Sequence, residues 1–251
     1  MPALVVAVAV FVSPGASASG RVGAKPTGAI TVAAASSLTG AFTEIGTRFE
    51  KKHRGTDVTF SFDASSALVL QVQSGAPVDV LASADEANMV QLVDGRQVTT
   101  KPVVFAQNEL EIAVKPGNPE KVKTLADLAG IGVVALCARE VPCGKYADTA
   151  LGDAGVDIPV DRVTRGQNAT ATLTAVSTGD ADAAIGYVTD VEAAGSSVKG
   201  VKIPRSQNQL ATYPIALLAD AANPATAKAF AGYVVSPAGQ KILAKYGFLP
   251  A

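Results

Sequence analysis

The chain has a single histidine and only two cysteines among its 251 residues. A nucleophilic serine needs a neighbouring base, and the sequence contains no Gly-x-Ser-x-Gly motif. The one histidine, His53, stands in a Lys/Arg-rich run that is typical of a solvated helix end. A metal site needs His, Cys or carboxylate residues at ligand spacing, and the sequence has no such cluster. We therefore expect no enzyme activity, no metal cation and no cofactor.

An excess of charge of one sign is also lacking. Lys and Arg number 21 against 22 Asp and Glu, which gives a net charge of -1. Nucleic-acid grooves and polybasic membrane patches need a local excess of basic residues, so we expect no nucleic-acid partner. The hydrophobic content of 48% is enough for the core of one large domain or of two modest lobes.

No apolar run is long enough to cross a bilayer, which takes about 20 residues. The run from Ala3 to Val12 is followed by Pro14-Gly15 and by Ala16-Ser17-Ala18. A short apolar core before a small-residue cleavage site is typical of a secretory signal, although the usual basic start is missing. A disordered, Ala-rich leader is the alternative. We predict a signal peptide and leader over 1–28, and export to the periplasm or the cell-envelope space.

The two cysteines, Cys137 and Cys143, stand six residues apart. In an exported protein, such a pair favours a disulfide that closes a small loop, because a metal site would need further ligands. Two buried thiols are the alternative.

A buried strand that turns sharply into a helix is the pattern that recurs along the chain. Residues 30–32 are β-branched, whereas apolar residues from Leu38 onward recur at helical spacing. Ser36 or Ser37 is therefore the predicted N-cap. Because a helix start offers unpaired backbone N–H groups and a partial positive charge, it forms an anion-sized socket. Similar turns into helices are predicted at 63–68, 83–85, 141–147 and 164–170.

These strand-to-helix units predict an α/β fold with a parallel sheet. Outside the units, the predicted elements are strands at 103–106, 110–114 and 213–218 and amphipathic helices at 225–233 and 237–246.

Short motifs then follow one another along the chain: Ala33-Ala34-Ala35-Ser36-Ser37-Leu38-Thr39, Gly75-Ala76-Pro77-Val78-Asp79-Val80, Ser83-Ala84-Asp85, Val141-Pro142-Cys143-Gly144, Gly186-Tyr187-Val188-Thr189-Asp190, Tyr213-Pro214 and Tyr246-Gly247-Phe248. Each motif is weak alone. In this order, they make the chain resemble the molybdate-binding proteins of ABC uptake systems, from about Ile30 to Phe248.

The resemblance implies a type II periplasmic-binding-protein fold, in which two α/β lobes are joined by two crossing strands and hold the oxyanion in the cleft between them. Lobe 1 would comprise 29–108 plus 213–251, and lobe 2 would comprise 109–212. The resemblance also implies a protein, expected to be a monomer, that delivers molybdate or tungstate to a membrane permease.

The resemblance further implies which residues contact the oxyanion. Ser37 and Ser65 would each give a hydroxyl and a backbone N–H. Cys143 and Ala169 would give a backbone N–H only, and Tyr187 would donate its phenol. Without the resemblance, the two serines are ordinary N-caps and the tyrosine is core packing.

Molybdate and tungstate are tetrahedral dianions that carry no proton near neutral pH, so a pocket for them should contain donors only. Monoprotonated phosphate carries an O–H that needs an acceptor. The sequence departs from the family pattern at Cys143, where Ala is usual, and at Asp63, where a small neutral residue is commoner. We expect Asp63 to face its own loop and cap a turn. If it faced the cleft, a carrier of phosphate would be favoured, and a sulfate or phosphate carrier is the alternative function.

Overall fold

The computed structural model describes residues 25–98 and 100–251. The apolar run and the cleavage site of the predicted signal peptide lie outside these residues. None of the helices in the two described ranges is long and apolar enough to cross a membrane.

The described chain forms nine strands: β1 Gly28–Ala35, β2 Thr56–Asp63, β3 Val80–Ala82, β4 Val103–Val114, β5 Val134–Cys137, β6 Val163–Gly166, β7 Ala183–Tyr187, β8 Lys199–Lys202 and β9 Leu210–Leu217. They pair in a mixed sheet with the order β2-β1-β3-β9-β4-β7-β5-β6, and β8 pairs with β4 outside this path. We call the part of the molecule that contains β1 to β3 the first half, and the part that contains β5 to β7 the second half.

Eight α-helices of the described chain pack on the sheet: α1 Thr39–Lys52, α2 Ser65–Gln73, α3 Glu86–Asp94, α4 Pro142–Asp153, α5 Ala169–Thr178, α6 Val188–Ala194, α7 Pro224–Val234 and α8 Pro237–Lys245. The strand-to-helix units predicted from the hydrophobic periodicity are present, because α1, α2, α3, α4 and α5 each follow a strand. The helix α6, which follows β7, is not among the predicted elements.

The first half contains the parallel pairing that the sequence predicts. β1 pairs with β2 in parallel over its whole length, from Gly28 opposite Thr56 to Ala35 opposite Asp63. β3 pairs with β1 on its other side, also in parallel. Parallel strands end at the same edge of a sheet, so the turns that follow Ala35 and Asp63 lie side by side.

The second half repeats this arrangement. β5 pairs in parallel with β6, ending with Cys137 opposite Gly166, and in parallel with β7. β7 ends at Tyr187, which lies opposite Leu110 of the antiparallel strand β4. The carboxyl ends of β5, β6 and β7 therefore share one edge, from which α4, α5 and α6 begin.

Two strands, β4 and β9, run through both halves. The prediction of separate strands at 103–106 and 110–114 is wrong, because the intervening residues pair with β9 as far as Glu109. From Leu110 to Val114, the same strand pairs with β7 and β8. The predicted lobe boundaries, after residue 108 and after residue 212, fall inside these two strands, and the division into lobes stays a prediction.

A cluster of phenylalanines fills the first half. The ring of Phe42 lies 5.7 Å from that of Phe105, 6.0 Å from that of Phe230 and 6.2 Å from that of Phe60, measured between ring centroids. Phe49 meets Phe230 edge to face at 5.5 Å. Such pairs contribute about 0.5 to 1.5 kcal/mol each beyond the area they bury. The cluster fixes α1 and α7 against the sheet.

The second half is held by a covalent tether. Cys137 and Cys143 form a disulfide, as predicted, and it joins the end of β5 to the second residue of α4. The next residue is Gly144, where a Cβ would collide with the carbonyl oxygen of Ala138. The first turn of α4 therefore lies as close to the strand end as glycine allows.

Candidate functional site

A small cavity lies between the two halves, at the carboxyl ends of β1, β2 and β7. Its volume is about 10 Å³, which is close to the least that holds one water molecule. The first turns of α2, α4 and α5 converge on it. Its lining residues are Ala35, Ser36, Asp63, Ala64, Ser65, Ala84, Val141, Pro142, Cys143, Ala169 and Tyr187.

The structure brings four of the five predicted site residues to this cavity, namely Ser65, Cys143, Ala169 and Tyr187. Ser37 lies beside it: its Oγ is 2.9 Å from the phenolic oxygen of Tyr213, and the residue lines a neighbouring cleft of about 410 Å³. The preceding residue, Ser36, lines the cavity instead. The sequence motif contains both serines, and only the fold of the turn decides which one faces the cavity.

Three backbone N–H groups at the cavity belong to helix starts. Ser65 is the first residue of α2, Ala169 is the first of α5, and Cys143 is the second of α4, after Pro142. At these positions a backbone N–H has no acceptor within its own helix. The aligned peptide dipoles add a partial positive charge at each of the three helix ends. The cavity is therefore suited to an anion.

The predicted N-cap at Ser36 or Ser37 is wrong, because the N-cap of α1 is Leu38. The alternative interpretation of Ser65 as an ordinary N-cap is wrong as well. Ala64 is the N-cap of α2, and Ser65 already lies in the helix with its Oγ accepting a hydrogen bond of 2.9 Å from the backbone N–H of Ala84. Ser36 begins a 3-10 turn whose cap, Ala35, makes no side-chain hydrogen bond. A contact from the β3–α3 connection thus occupies one lone pair of the Ser65 hydroxyl. Its hydrogen is left to donate, since a serine hydroxyl is both donor and acceptor.

Tyr187 presents a buried donor without a partner. Its side chain is 1% exposed, and among the described residues its hydroxyl has no hydrogen-bond partner. Burial, and secondly the neighbouring Tyr213, raise the pKa of the Tyr187 phenol well above its ordinary value, so the group keeps its proton. An unsatisfied buried polar group costs about 1 to 3 kcal/mol. An acceptor bound in the cavity that Tyr187 lines would remove this cost.

Asp63 is not confined to its own loop, contrary to the expectation. Its Oδ1 does accept a hydrogen bond of 2.7 Å from the backbone N–H of Ala64, which is the predicted local turn. The same oxygen also accepts from Nδ2 of Asn168 at 3.0 Å, and the residue lines the cavity. Asn168 stands 105 residues away along the chain. Local sequence therefore indicates the turn but not the contact across the cleft.

A polar cluster lies behind Tyr187. Asn108, fully buried in the middle of β4, donates from Nδ2 to Oγ1 of Thr189 at 2.8 Å and to the phenolic oxygen of Tyr213 at 3.4 Å. Asp190, also buried, has a side-chain oxygen without a partner among the described residues, and burial raises the pKa of its carboxyl to about 7. Sequence reasoning missed this cluster, although a polar Asn108 between two apolar strand segments was a signal.

Cationic side chains stay outside the cavity. Lys145 and Arg165 line a cleft of about 630 Å³ at its mouth. Nζ of Lys145 lies 3.5 Å from Oδ2 of Asp85, and Arg165 pairs with Asp148 at 2.9 Å. Within the two described ranges, no group of three or more His, Cys, Asp or Glu residues could hold a metal ion. The lining thus offers neutral donors together with one carboxylate, that of Asp63.

The sequence and the fold both have relatives. The family profile described as "Bacterial extracellular solute-binding protein" matches residues 30–249. The molybdate-binding protein ModA of Mycobacterium tuberculosis H37Rv is 38% identical over 220 residues, which are 87% of this chain and 84% of that protein. The molybdate-binding protein ModA of Escherichia coli K12 is 34% identical over 234 residues, which are 88% of this chain and 89% of that protein.

Among solved structures, the periplasmic molybdate-binding protein of Azotobacter vinelandii matches with a TM-score of 0.78 and 20% sequence identity, covering 88% of this chain and 99% of that one. At this identity the likeness carries the fold alone. The fold is the α/β, two-lobed type of periplasmic binding proteins, with β4 and β9 as the two crossing strands.

Proposed function

The chain belongs to the bacterial extracellular solute-binding protein family, and we propose that it captures molybdate, and also tungstate, for uptake by an ABC transporter. The observation that carries this proposal is Tyr187, whose buried hydroxyl has no partner among the described residues and which lines a cavity where three helix starts converge. Curated relatives that carry the name molybdate-binding protein support the choice of ligand.

The donors at the cavity match a fully deprotonated oxyanion. Every oxygen of molybdate accepts hydrogen bonds. The backbone N–H groups of Ser65, Cys143 and Ala169 can only donate, and the hydroxyls of Ser65 and Tyr187 each have a hydrogen to donate. Hydrogen bonds to an ionised partner contribute about 1.5 to 3 kcal/mol each. Several of them support binding without a buried Lys or Arg, whose charge would lack compensation in the empty protein. We assign a further hydroxyl contact with the oxyanion to Ser36. Ser37 would support the site indirectly, through its hydrogen bond to Tyr213.

The small volume of the cavity bears on how the ligand enters it. A tetrahedral oxyanion has five heavy atoms, whereas a cavity of about 10 Å³ suits one water-sized group. We propose that the two walls separate to admit the ligand and that contacts from both halves then favour closure, which is a hinge-type population shift. The proposed lobes are 29–108 plus 213–251 and 109–212. They would move relative to each other about the points where β4 and β9 pass from one lobe to the other.

The same proposal covers where the protein acts, its oligomeric state and its partner. The chain is exported, acts as a monomer without enzyme activity, and passes its ligand to a membrane permease. Relatives in the extracellular solute-binding family support export and transport.

A carrier of monoprotonated phosphate is the second candidate. The observation that favours it is Asp63, whose carboxylate lines the cavity and can accept the hydrogen of such an anion. This function predicts binding of phosphate in preference to molybdate.

Titration calorimetry and thermal unfolding with molybdate, tungstate, sulfate and phosphate test the proposal. A ligand at a hundred times its dissociation constant stabilises the folded state by about 2.7 kcal/mol. We expect molybdate and tungstate to raise the unfolding temperature, and phosphate at equal concentration to leave it unchanged. Stabilisation by phosphate alone favours the second candidate, and no stabilisation by any of the four anions rejects both.

Tyr187→Phe sharpens the test. Losing one hydrogen bond to a charged ligand should weaken molybdate binding about 10-fold to 100-fold, and the fold should be retained because the ring is kept. Tyr233→Phe is the matched control, since Tyr233 packs against Phe49 away from the cavity. Equal affinities of the two variants would remove Tyr187 from the site.

A further inference from the structure

We propose that Asp63 is a positioning residue whose carboxylate bridges the two halves through Asn168 and thereby sets how tightly the cavity closes on its ligand. This inference rests on the proposed function and adds to it a residue outside the set that the family resemblance implies. The bridge is the pair of side chains Asp63 and Asn168.

The bridge joins two helix starts that line the cavity. Oδ1 of Asp63 accepts from the backbone N–H of Ala64, at the start of α2, and from Nδ2 of Asn168, at 2.7 and 3.0 Å. Asp63 ends β2 in the first half, and Asn168 precedes α5 in the second. One carboxylate oxygen therefore connects the two walls of the cavity.

Asn168 passes the effect of the bridge to the binding surface. Its Oδ1 caps α5 by accepting from the backbone N–H of Ala171 at 2.9 Å, while its Nδ2 donates to Asp63. The next residue is Ala169, whose N–H faces no acceptor in its own helix and which lines the cavity. When Asp63 holds Asn168, the first turn of α5 is held at the distance that the closed cavity requires.

A second contact crosses the same mouth but contributes less. Nζ of Lys145 lies 3.5 Å from Oδ2 of Asp85, and the lysine side chain is 43% exposed. Asp85 is buried, but the distance is long and the exposed lysine head is open to water, so we expect this contact to contribute little and to be screened by salt. The Asp63 bridge is shorter and half-buried, and its partner is a neutral amide, so we expect its effect to depend weakly on salt.

The position of Asp63 suggests a reason for tolerating a carboxylate near a dianion. A negative charge in the lining opposes the ligand, so a purely anion-binding surface would avoid it. Two N–H donors already occupy Oδ1 of Asp63. The carboxylate is thus used to hold the walls together, and an amide that accepts the same hydrogen bonds should hold them without the repulsion.

Four variants separate the bridge from the charge. Asp63→Ala removes the bridge, and Asn168→Asp keeps the cap of α5 but places a second carboxylate opposite the first. Asp63→Asn with Asn168→Asp exchanges the two groups, which restores an amide-to-carboxylate hydrogen bond and the wild-type charge. Asp63→Ala with Asn168→Asp has the same charge as this exchange but no bridge, so it is the matched control.

Calorimetry with molybdate at two salt concentrations measures the affinities. We expect Asp63→Ala to lose about 10-fold, as for one hydrogen bond to a charged group, and Asn168→Asp to lose more. The exchange should return to within about threefold of wild type, and its charge-matched control should stay about 10-fold weaker. Because Asp63→Ala removes a repulsive charge together with the bridge, the decisive comparison is between the two double variants. The proposal is overturned if the exchange binds no better than its charge-matched control.

Small-angle scattering of the ligand-free proteins keeps this test separate from the proposed function. If the wild type binds none of the oxyanions, the proposed function fails, but the bridge still predicts a smaller radius of gyration for wild type and exchange than for Asp63→Ala and Asn168→Asp. Equal radii for all of them would overturn the bridge.

Discussion

Both halves contain strands that turn into helices at the cavity, but different side chains stabilise these turns. All seven phenylalanines among the described residues lie before residue 110 or after residue 209, and five of them are buried. The second half has none between those positions; its core is aliphatic, with Leu173 and Val176 of α5 among the buried side chains, and it carries the disulfide at the start of α4. A helix start is thus fixed by aromatic packing in one half and by aliphatic packing with an added covalent tether in the other.

The halves also differ in what they contribute to the cavity lining. The first half contributes side-chain oxygens, from Ser36, Ser65 and Asp63, and one helix-start N–H, that of Ser65, whereas the second contributes the N–H groups of Cys143 and Ala169 and one phenol. Backbone N–H groups have no rotamers to order, so they are already aimed before a ligand arrives. We infer that the second half is the more preorganised wall.

The largest expected effect comes from the aromatic core. Phe42→Ala should lower the free energy of unfolding by about 3 to 5 kcal/mol, because Phe42 is fully buried among three other rings. Urea unfolding measures this change. Val160→Ala in the second half, where the side chain is 85% exposed, is the control and should leave stability unchanged. A loss below about 1 kcal/mol for Phe42→Ala would show that the cluster does not support the first half.

Removing the tether should be the next largest change. Cys137→Ala with Cys143→Ala should cost about 2 to 3 kcal/mol of stability, as for a short closed loop, and should weaken molybdate binding because the Cys143 position loses its link to β5. A thiol reductant should reproduce both effects in the wild type. It should have no effect on the double variant, and a response there would mean that the reductant acts elsewhere.

The two halves also differ in how their buried carboxylates are hydrogen-bonded. In the first half, Asp79 accepts from the backbone N–H of Thr31 at 2.7 Å, whereas in the second half Asp190 keeps an unpartnered oxygen among the described residues. Burial raises the pKa of Asp190 from 3.8 to about 7, so the folded state binds its proton more tightly than the unfolded chain. Stability should therefore fall as the pH rises from about 4 to about 7.

Asp190→Asn should remove that fall. At pH 8 we expect the variant to be more stable than wild type by about 1 to 3 kcal/mol, and at pH 4 the two should be nearly equal. Asp182→Asn is a control of opposite sign, because its bond to Lys115 lowers the pKa of Asp182. That variant should be destabilised at pH 8. Thermal unfolding across this pH range measures both, and a flat difference for Asp190→Asn would contradict the assignment.

The smallest expected effects distinguish the two adjacent serines. Ser36→Ala should weaken molybdate binding by a few-fold with little change in stability. Ser37→Ala should instead lower stability by about 1 kcal/mol, since it loses the hydrogen bond to Tyr213. Calorimetry and urea unfolding of both variants decide the matter. If Ser37→Ala weakens binding more than Ser36→Ala does, the cavity contact belongs to Ser37.

The periodicity of most strands and helices, and the helix starts that meet at the cavity, can be predicted from the chain alone, because these depend on residues a few positions apart. The family resemblance that the motifs carry predicts Ser37, Ser65, Cys143, Ala169 and Tyr187 as one site, and four of the five line the same cavity while Ser37 lies beside it. Sequence reasoning failed at the caps of α1 and α2, since a serine near a helix start is an equally good partner for a distant N–H group.

Three features depend on the assembled sheet: which serine lines the cavity, the contact of Asp63 with Asn168, and the unbroken course of β4 past Asn108. Each of these depends on atoms that are brought together across tens to more than a hundred residues by the sheet order. Local patterns carry no information about such contacts, because the same turn and the same strand are compatible with many partners until the sheet selects one.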